Sequence, residues 1–154
     1  MSAFVESPDA AYILLRLGEQ RFAVRAENVE ELAGSSHFQK FPQTTKQVEG
    51  VIVRRKRVMA VRDVASLLTG RPLPMHRFYL IVKQRYGAIE EAEAIPVTGD
   101  CELLSGVIPM PAEDGQPEYF QGLIDLAGER IPLLDLEKLA AATSRAVGGP
   151  EMPA

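Results

Sequence analysis

One stretch of this chain occurs twice. Residues 50–63 read GVIVRRKRVMAVRD and residues 122–135 read GLIDLAGERIPLLD, and the two align without a gap from a glycine to an aspartate. Each copy holds two apolar runs around a turn, which is typical of a β-hairpin. Upstream, YILLRLGEQRFAV from Tyr12 parallels FYLIVKQRYGAI from Phe78. Because one small β unit has exposed edges and a thin core, the duplication predicts two related lobes packed together.

The rest of the ordered chain also has the composition of short strands. β-branched and aromatic residues alternate with polar ones, and Gly, Pro, Asp or polar clusters separate the runs. This pattern predicts strands at residues 11–17, 21–29, 48–53, 58–63, 77–84, 86–97, 119–126 and 130–136. We interpret the acidic run of residues 90–94 as a strand end passing into a polar turn, without chemistry of its own. The chain is therefore expected to be mainly β, as a sandwich or barrels.

Two aspartates end the repeated hairpins, and each precedes a helical pattern. Asp63 comes before VASLLTGRP and Asp135 before LEKLAAATSRAVGGP. An aspartate at this place accepts backbone N–H groups of the first helical turn, so both are predicted to be N-caps. A structural role explains Asp63 and Asp135 better than a pair of catalytic carboxylates. Gly50 and Gly122, which open the two copies, are likewise predicted to be structural.

The domain limits follow from composition. Small, polar and Pro/Gly-rich residues fill both ends, so residues 1–10 and 147–154 are predicted to be flexible tails. Residues 11–146 are expected to form a single domain, with a first lobe at about 11–74 and a second at about 75–146.

Charge and hydropathy narrow the location and the partners. Lys and Arg total 17, Asp and Glu total 21, and the net charge is −4. An acidic chain is poorly suited to binding the phosphates of a nucleic-acid duplex, because such binding needs many Lys and Arg side chains on one face. Because the sequence has no apolar run of bilayer length and no signal peptide, we expect a cytoplasmic protein without direct membrane insertion.

The usual sequence signatures of catalysis are missing. His37 and His76 stand alone in loop-like text without Cys or His at ligand spacing. Cys101 has no neighbouring activator and is predicted to be an inert thiol. No phosphate-binding glycine loop occurs. We therefore predict neither an enzyme nor a metal or cofactor site.

Four basic residues, Arg54, Arg55, Lys56 and Arg57, lie between the apolar runs of the first copy. They are predicted to form a four-residue hairpin turn. Three interpretations stay open at this point: a solvated tip, a docking point for another protein, and a nucleic-acid grip. The lack of interleaved aromatic residues disfavours the nucleic-acid grip.

The order of these motifs resembles the CheW-like domain over about Tyr12–Leu139. The family hallmark is a glycine-valine strand, an asparagine-leucine-arginine-glycine turn and a strand ending in aspartate. Residues matching it are Gly50, Val51, Arg55, Val61 and Asp63, while Val29 and Glu31 fit a valine-x-glutamate-isoleucine element. The chain departs from the family where Val53 replaces the turn asparagine and Lys56 the turn glycine.

The resemblance implies a fold and a function. The fold is two five-stranded, SH3-like β-barrels with short helices around a shared core. The function is a non-enzymatic adaptor that couples chemoreceptor cytoplasmic tips to the regulatory domain of a CheA-type histidine kinase. A divergent adaptor of a non-flagellar pathway, such as pilus motility, is an alternative, and a small anion- or nucleic-acid-binding barrel is a weaker one.

The resemblance also suggests where a partner binds. Arg55 is expected at the lobe junction, paired with an acidic residue of this chain or of a receptor helix. A helix in an apolar groove between the lobes is the expected mode of binding. The partner-binding residues implied in this way are Arg55, Val29, Glu31, Arg54, Lys56 and Arg57.

Overall fold

The computed structural model describes residues 10–34, 37–40, 48–74 and 78–148. Strands dominate this part of the chain, which confirms the mainly β fold. They are β1 (Ala11–Leu17), β2 (Gln20–Arg25), β3 (Val29–Gly34), β4 (His37–Lys40), β5 (Val48–Arg54), β6 (Arg57–Arg62), β7 (Phe78–Tyr86), β8 (Ile89–Val97), β9 (Glu102–Ser105), β10 (Met110–Pro111), β11 (Phe120–Leu126) and β12 (Glu129–Leu134). The helices are α1 (Ala65–Thr69) and α2 (Leu136–Gly148), and a 3-10 turn covers Ala26–Asn28.

The described strands form two sheets with the same internal plan. The first sheet has the order β10-β11-β12-β2-β1-β9 and the second the order β4-β5-β6-β8-β7-β3. In each, a hairpin of the repeated motif (β11–β12 or β5–β6) lies beside a hairpin of the upstream motif (β2–β1 or β8–β7). Each described sheet holds six strands rather than the five expected for a barrel. The matching orders support duplication of one unit.

The two sheets exchange their upstream hairpins. In the first sheet β2 runs parallel to β12, with Ala23 opposite Leu133. In the second, β8 runs parallel to β6, with Ala60 opposite Glu93. Each sheet therefore combines strands from both halves of the chain, and the sheets do not coincide with the expected lobes at 11–74 and 75–146. The second edge of β6 and of β12 would otherwise expose unpaired backbone N–H and C=O groups. A strand that covers such an edge in parallel must come from a distant part of the chain, because parallel neighbours require a long crossover connection.

Three apolar clusters hold this arrangement together. One cluster lies on the concave face of the first sheet and includes Tyr12 and Ile131. A second lies on the concave face of the second sheet and includes Ile52 and Tyr79. The third is shared: strands of both sheets and both helices contribute to it. Its buried members are Leu15, Leu17, Phe22, Val24, Val64, Ala65, Leu80, Val82, Ile95, Val97, Leu134, Leu136 and Leu139. The two sheets therefore pack on each other through their outer faces, which are opposite to the faces that carry the two separate clusters.

The repeat is preserved in local detail. The pairing register shifts between Val48 and Gly50 in the second sheet and between Phe120 and Gly122 in the first, so each copy opens with an irregularity at its glycine. The N-cap prediction is confirmed for Asp135, whose carbonyl oxygen accepts the Leu139 N–H, whereas Asp63 lies one residue before Val64, the N-cap of α1. Asp63 accepts the Ser66 N–H at 3.0 Å, and Asp135 accepts the Lys138 N–H at 3.1 Å.

Some elements differ from the sequence-based expectation. The predicted strand 21–29 ends at Arg25, because Ala26–Asn28 forms a 3-10 turn. The edge strands β3, β4, β9 and β10 were not predicted, since they are short or polar and lack the alternation of a half-buried strand. No helix in the described ranges is long and apolar enough to cross a membrane.

Candidate interaction surface

The basic segment forms the tip of the β5–β6 hairpin, but its turn is tighter than predicted. Arg54 and Arg57 pair across the strands, so only Arg55 and Lys56 make the turn. Both have positive φ angles, 53° and 66°. Two such residues in succession are the mark of a type I′ turn, which normally favours asparagine and glycine. The chain thus forms a tight two-residue turn with two long basic side chains.

Acidic residues of β3 neutralise much of this tip. Arg54 donates from Nε to Oε2 of Glu31 at 2.8 Å and from Nη2 to Oε1 at 3.1 Å. Arg57 donates from Nη1 to Glu30 Oε1 at 3.3 Å. The hydrogen bonds from Arg54 lower the pKa of the Glu31 carboxyl, although partial burial acts in the opposite direction. The strongest ion pair of the tip therefore belongs to Arg54.

Arg55 does not lie where it was expected. Its Nη2 is 3.6 Å from Glu31 Oε1, and its side chain is 75% exposed. Since β3 and β5 belong to the same sheet, this pair joins two strands of the second sheet rather than the two lobes. The acidic partner is thus within the chain, and the position is a solvent-facing tip. Contact of Arg55 with another protein stays a prediction.

The remaining expected residues divide between tip and core. Lys56 is exposed at the turn. Val29 is half-buried and packs against the shared core, so it positions the start of β3 instead of facing a partner. The carboxylate of Glu31 accepts hydrogen bonds from Arg54 on both of its oxygens. The six residues do come together around one end of the second sheet, except that Val29 lies beneath the surface.

Exposed apolar side chains occupy the same end of this sheet. Val53 and Val58 are 48% and 67% exposed and face each other across β5 and β6. Tyr86 and Ile89, 39% and 60% exposed, face each other across β7 and β8. We call these four residues the twin-tip surface. Val53 was noted in the sequence only as a departure from the family's turn asparagine, and none of the four was predicted to be exposed, because a valine or isoleucine in a strand is ordinarily buried.

A buried ion pair lies behind the twin-tip surface and was missed by sequence reasoning. Arg62 and Glu93 have side chains only 6% and 5% exposed. Arg62 donates two hydrogen bonds to the Glu93 carboxylate, at 2.8 and 2.9 Å. It also donates to the Tyr86 hydroxyl at 2.8 Å and to Thr143 Oγ1 at 3.2 Å. Three strands and α2 are thereby tied to one guanidinium.

Tyr86 completes this network and loses acidity through it. Its hydroxyl donates a hydrogen bond to Glu93. Burial and the Glu93 carboxylate raise the pKa of Tyr86 to about 12. The acidic run at 90–94 was interpreted as carrying no chemistry, and Glu93 corrects this: it is the buried acceptor of the network. No local pattern in the sequence marks it, because its partner lies 31 positions away.

Residues considered for catalysis have other surroundings. Burial, with a smaller effect of Asp100, raises the pKa of the Cys101 thiol to about 11, so the thiol is protonated at neutral pH. The side chain packs against the shared core. Across the described residues, no three His, Cys, Asp or Glu side chains cluster as metal ligands. His76 lies outside the described residues, and the side chain of His37 is not described.

Comparisons of the sequence with known proteins point to one family. The CheW-like domain model matches residues 11–99. The probable chemotaxis protein CheW of Rhizobium etli is 27% identical over 140 residues, covering 88% of this chain and 90% of that protein. Protein FrzA of Myxococcus xanthus is 27% identical over 146 residues, covering 91% of each.

A solved structure supports the fold independently. The scaffolding protein TtCheW from Thermoanaerobacter tengcongensis superposes with a TM-score of 0.65 at 18% identity, covering 85% of this chain and 92% of that one. Identity this low shows the fold alone. Taken with the family model, which matches more than half of the residues, it leads to one conclusion: the chain belongs to the CheW-like domain family.

Proposed function

We propose that this protein is a cytoplasmic, non-enzymatic adaptor that couples chemoreceptor tips to the regulatory domain of a CheA-type histidine kinase. The observation that supports this most directly is the 50–63 hairpin. It has the family's glycine, arginine and aspartate at Gly50, Arg55 and Asp63, and the side chain of Arg55 is exposed to solvent. An exposed arginine beside exposed apolar residues suits a protein interface, since arginine and apolar anchors dominate binding energy there.

The two aspartates and the cysteine that were considered for catalysis have structural surroundings, which supports a non-enzymatic function. The carboxylates of Asp63 and Asp135 accept backbone N–H groups of the helices that follow. The Cys101 thiol has a pKa well above neutrality. The proposal accordingly requires no metal or cofactor.

Within the proposed interface the basic residues have separate roles. Arg55 contacts the partner, and the Arg54–Glu31 pair holds the hairpin in place beneath it. Lys56 and Arg57 set the positive charge of the rim. Charged rims of this kind chiefly affect the association rate and the choice of partner.

A second candidate is an adaptor of a non-flagellar chemosensory pathway. The turn favours it, because Arg55 and Lys56 stand where the family pattern ends in arginine and glycine, and the added cation changes which partners fit by charge. The equal identity to Protein FrzA and to a probable chemotaxis CheW is compatible with both candidates. Co-purification from the native organism separates them by the receptor and kinase recovered.

The test of the adaptor function is a binding measurement with the receptor-tip fragment and the kinase regulatory domain from the same genome. Arg55→Ala is expected to weaken binding at least about tenfold, while the thermal midpoint stays within about 4 °C. Arg130→Ala is the matched control, because Arg130 is also an exposed arginine, beside the turn of the equivalent hairpin in the first sheet.

Two results would contradict the proposal at different levels. Unchanged binding by Arg55→Ala removes the assignment of Arg55. Failure of the unmodified protein to bind either partner removes the adaptor function itself. An anion-binding barrel predicts instead that binding collapses steeply as salt rises, whereas an interface with apolar anchors retains much of its affinity.

A further inference from the structure

A cleft opens where the chain crosses from the first sheet to the second. It has a volume of about 370 Å³ and lies between the end of β2, the 3-10 turn and β7, with the start of α2 at its side. Leu134 and Leu136, which belong to the shared core, form its apolar base. Charged and polar side chains of both sheets surround this base. A concave site of this size accommodates a small molecule.

One buried polar atom of the cleft has no hydrogen-bond partner among the described residues. Gln84 lines the cleft and is only 2% exposed, and this atom is its Oε1. Side chains alternate along β7, and Val82 packs in the shared core. Gln84 therefore points to the same side as Val82, where Leu134 and Leu136 form the base of the cleft. A buried acceptor without a donor is unfavourable, and a donor on a bound molecule would remove that penalty.

The duplicated unit provides an internal comparison for Gln84. Ile81 of β7 corresponds to Leu14 of β1, because each pairs with the alanine that lies opposite the repeated hairpin. Three positions farther along the two strands are Gln84 and Leu17. Leu17 is a buried member of the shared core. Since the fold accommodates a leucine at this position, packing of the two sheets does not require the amide of Gln84.

A fixed guanidinium provides positive charge in the cleft. Arg25 is half-buried at the end of β2, and its Nε donates to Gln121 Oε1 at 3.2 Å. Both residues line the cleft, so this bond holds the guanidinium in its wall. The first turn of α2 begins beside it at Leu136 and adds the positive end of the helix dipole. A carboxylate is a ligand group that both a planar guanidinium and a helix N-terminus bind well.

Carboxylates line the same cleft. Glu27, from the 3-10 turn, and Glu137, from the first turn of α2, are both exposed there. They repel a purely anionic ligand, and Arg25 repels a purely cationic one. A ligand with a carboxylate and an ammonium group matches charges of both signs. Its ammonium group also has the N–H donors that Gln84 Oε1 lacks.

We propose that this cleft binds a free α-amino acid with an apolar side chain. The carboxylate of the ligand lies against Arg25 and the N-terminus of α2, and its ammonium group donates to Gln84. The apolar side chain packs on Leu134 and Leu136. Because the site is built from both sheets, its ligand stabilises their packing by mass action. The inference does not depend on the proposed adaptor function.

Isothermal titration calorimetry of the full chain with alanine, valine and leucine tests the ligand class. We expect saturable binding with a Kd below about 1 mM for at least one of them. The N-acetylated form of the tightest binder lacks the ammonium group, and its amide lacks the carboxylate. Each of these two derivatives is expected to bind at least about tenfold more weakly, because a buried or charged group of the cleft then stays unpaired.

Gln84→Leu tests the position of the site, since it copies Leu17 of the first sheet. It is expected to weaken binding of the tightest amino acid at least about tenfold. The thermal midpoint is expected to stay the same or rise, because the buried acceptor is removed. A glutamine with only a structural role would instead lower the midpoint when replaced. Gln20→Leu is the matched control, because Gln20 is exposed on β2 outside the cleft, and it is expected to leave binding unchanged.

The contrary results are distinct. No saturable heat with any of the three amino acids up to about 10 mM overturns the proposal and leaves water as the occupant of the cleft. Equally tight binding of either capped derivative overturns the zwitterionic ligand. Binding that is unchanged by Gln84→Leu overturns the assignment to this cleft. The adaptor function is measured with the receptor and kinase fragments, so its failure is seen separately from all of these.

Discussion

The two sheets of this protein share a plan but differ at equivalent positions. In the first sheet, Leu134 and Phe22 fill the shared core; at the matching positions the second sheet has Arg62 and Glu93. Phe22 corresponds to Glu93 because each precedes an alanine that pairs with the repeated hairpin: Ala23 lies opposite Leu133 and Ala94 opposite Val61, and these are equivalent positions of the two copies. One copy has therefore kept an apolar contact where the other has a buried ion pair.

The hairpin tips also differ, and again the second sheet has the residues that are energetically less favourable. The first sheet turns through Ala127 and Gly128, with φ angles of 53° and 90°, and the second through Arg55 and Lys56. A glycine adopts a positive φ readily, while an L-residue with a side chain loses roughly 1–2 kcal/mol there. The turn and core residues of the first sheet are thus the more favourable ones. The second sheet has a strained turn and a buried ion pair close to its exposed apolar residues. Such costs are commonly found at functional sites.

The largest expected effect concerns the exchange of hairpins between sheets. Residues 1–74 and 75–154, produced as separate chains, each lack strands that their sheet requires. Neither is expected to show a cooperative thermal transition by circular dichroism, whereas an equimolar mixture should recover one. Independent folding of either half would show that the lobes follow the chain order and that the exchange is not needed for stability.

Next in size is the buried ion pair. Arg62→Leu leaves Glu93 buried without its partner and is expected to lower the free energy of unfolding by about 3–5 kcal/mol. The double change Arg62→Leu with Glu93→Phe copies the first sheet and is expected to restore stability to within about 1 kcal/mol of the unmodified protein, or above it. Urea unfolding measures both. A double variant as unstable as the single one would show that the two cores are not interchangeable.

The turns give the smallest effect and a reciprocal test. Lys56→Gly is expected to raise the free energy of unfolding by about 1 kcal/mol, because glycine removes the strain of a positive φ. Gly128→Lys is expected to lower it by a similar amount. The midpoints of urea unfolding curves measure the difference. If both changes act in the same direction, the backbone angle is not what distinguishes the two tips.

Local features of this fold could be predicted from the sequence, and distant ones could not. The repeat, the eight main strands and the hydrogen bonds of Asp63 and Asp135 to the helices that follow all depend on residues close together in the chain. The exchange depends on which distant strand lies parallel to β6 or β12, and alternation of apolar residues says nothing about that choice. The mixed sheets were therefore found only in the structure.

The candidate site shows the same division. The basic tip was evident in the sequence, but its tight turn was not, since Arg55 and Lys56 are unusual residues for positive φ. The importance of Glu93 could not be predicted because its partner is distant. The exposure of Val58 and Ile89 depends on how far each hairpin extends past its neighbours, which only the pairing registers define.

Exchanging surface residues between the two sheets tests directly whether only the second sheet binds the receptor-tip fragment. Val53→Asp with Val58→Arg gives the second sheet the polar pair of the first, and Asp125→Val with Arg130→Val gives the first sheet the apolar pair of the second. We expect at least about a tenfold loss of affinity for the first variant and unchanged affinity for the other. Equal affinities for both variants and the unmodified protein would contradict the claim that one copy of the duplicated unit became the binding surface.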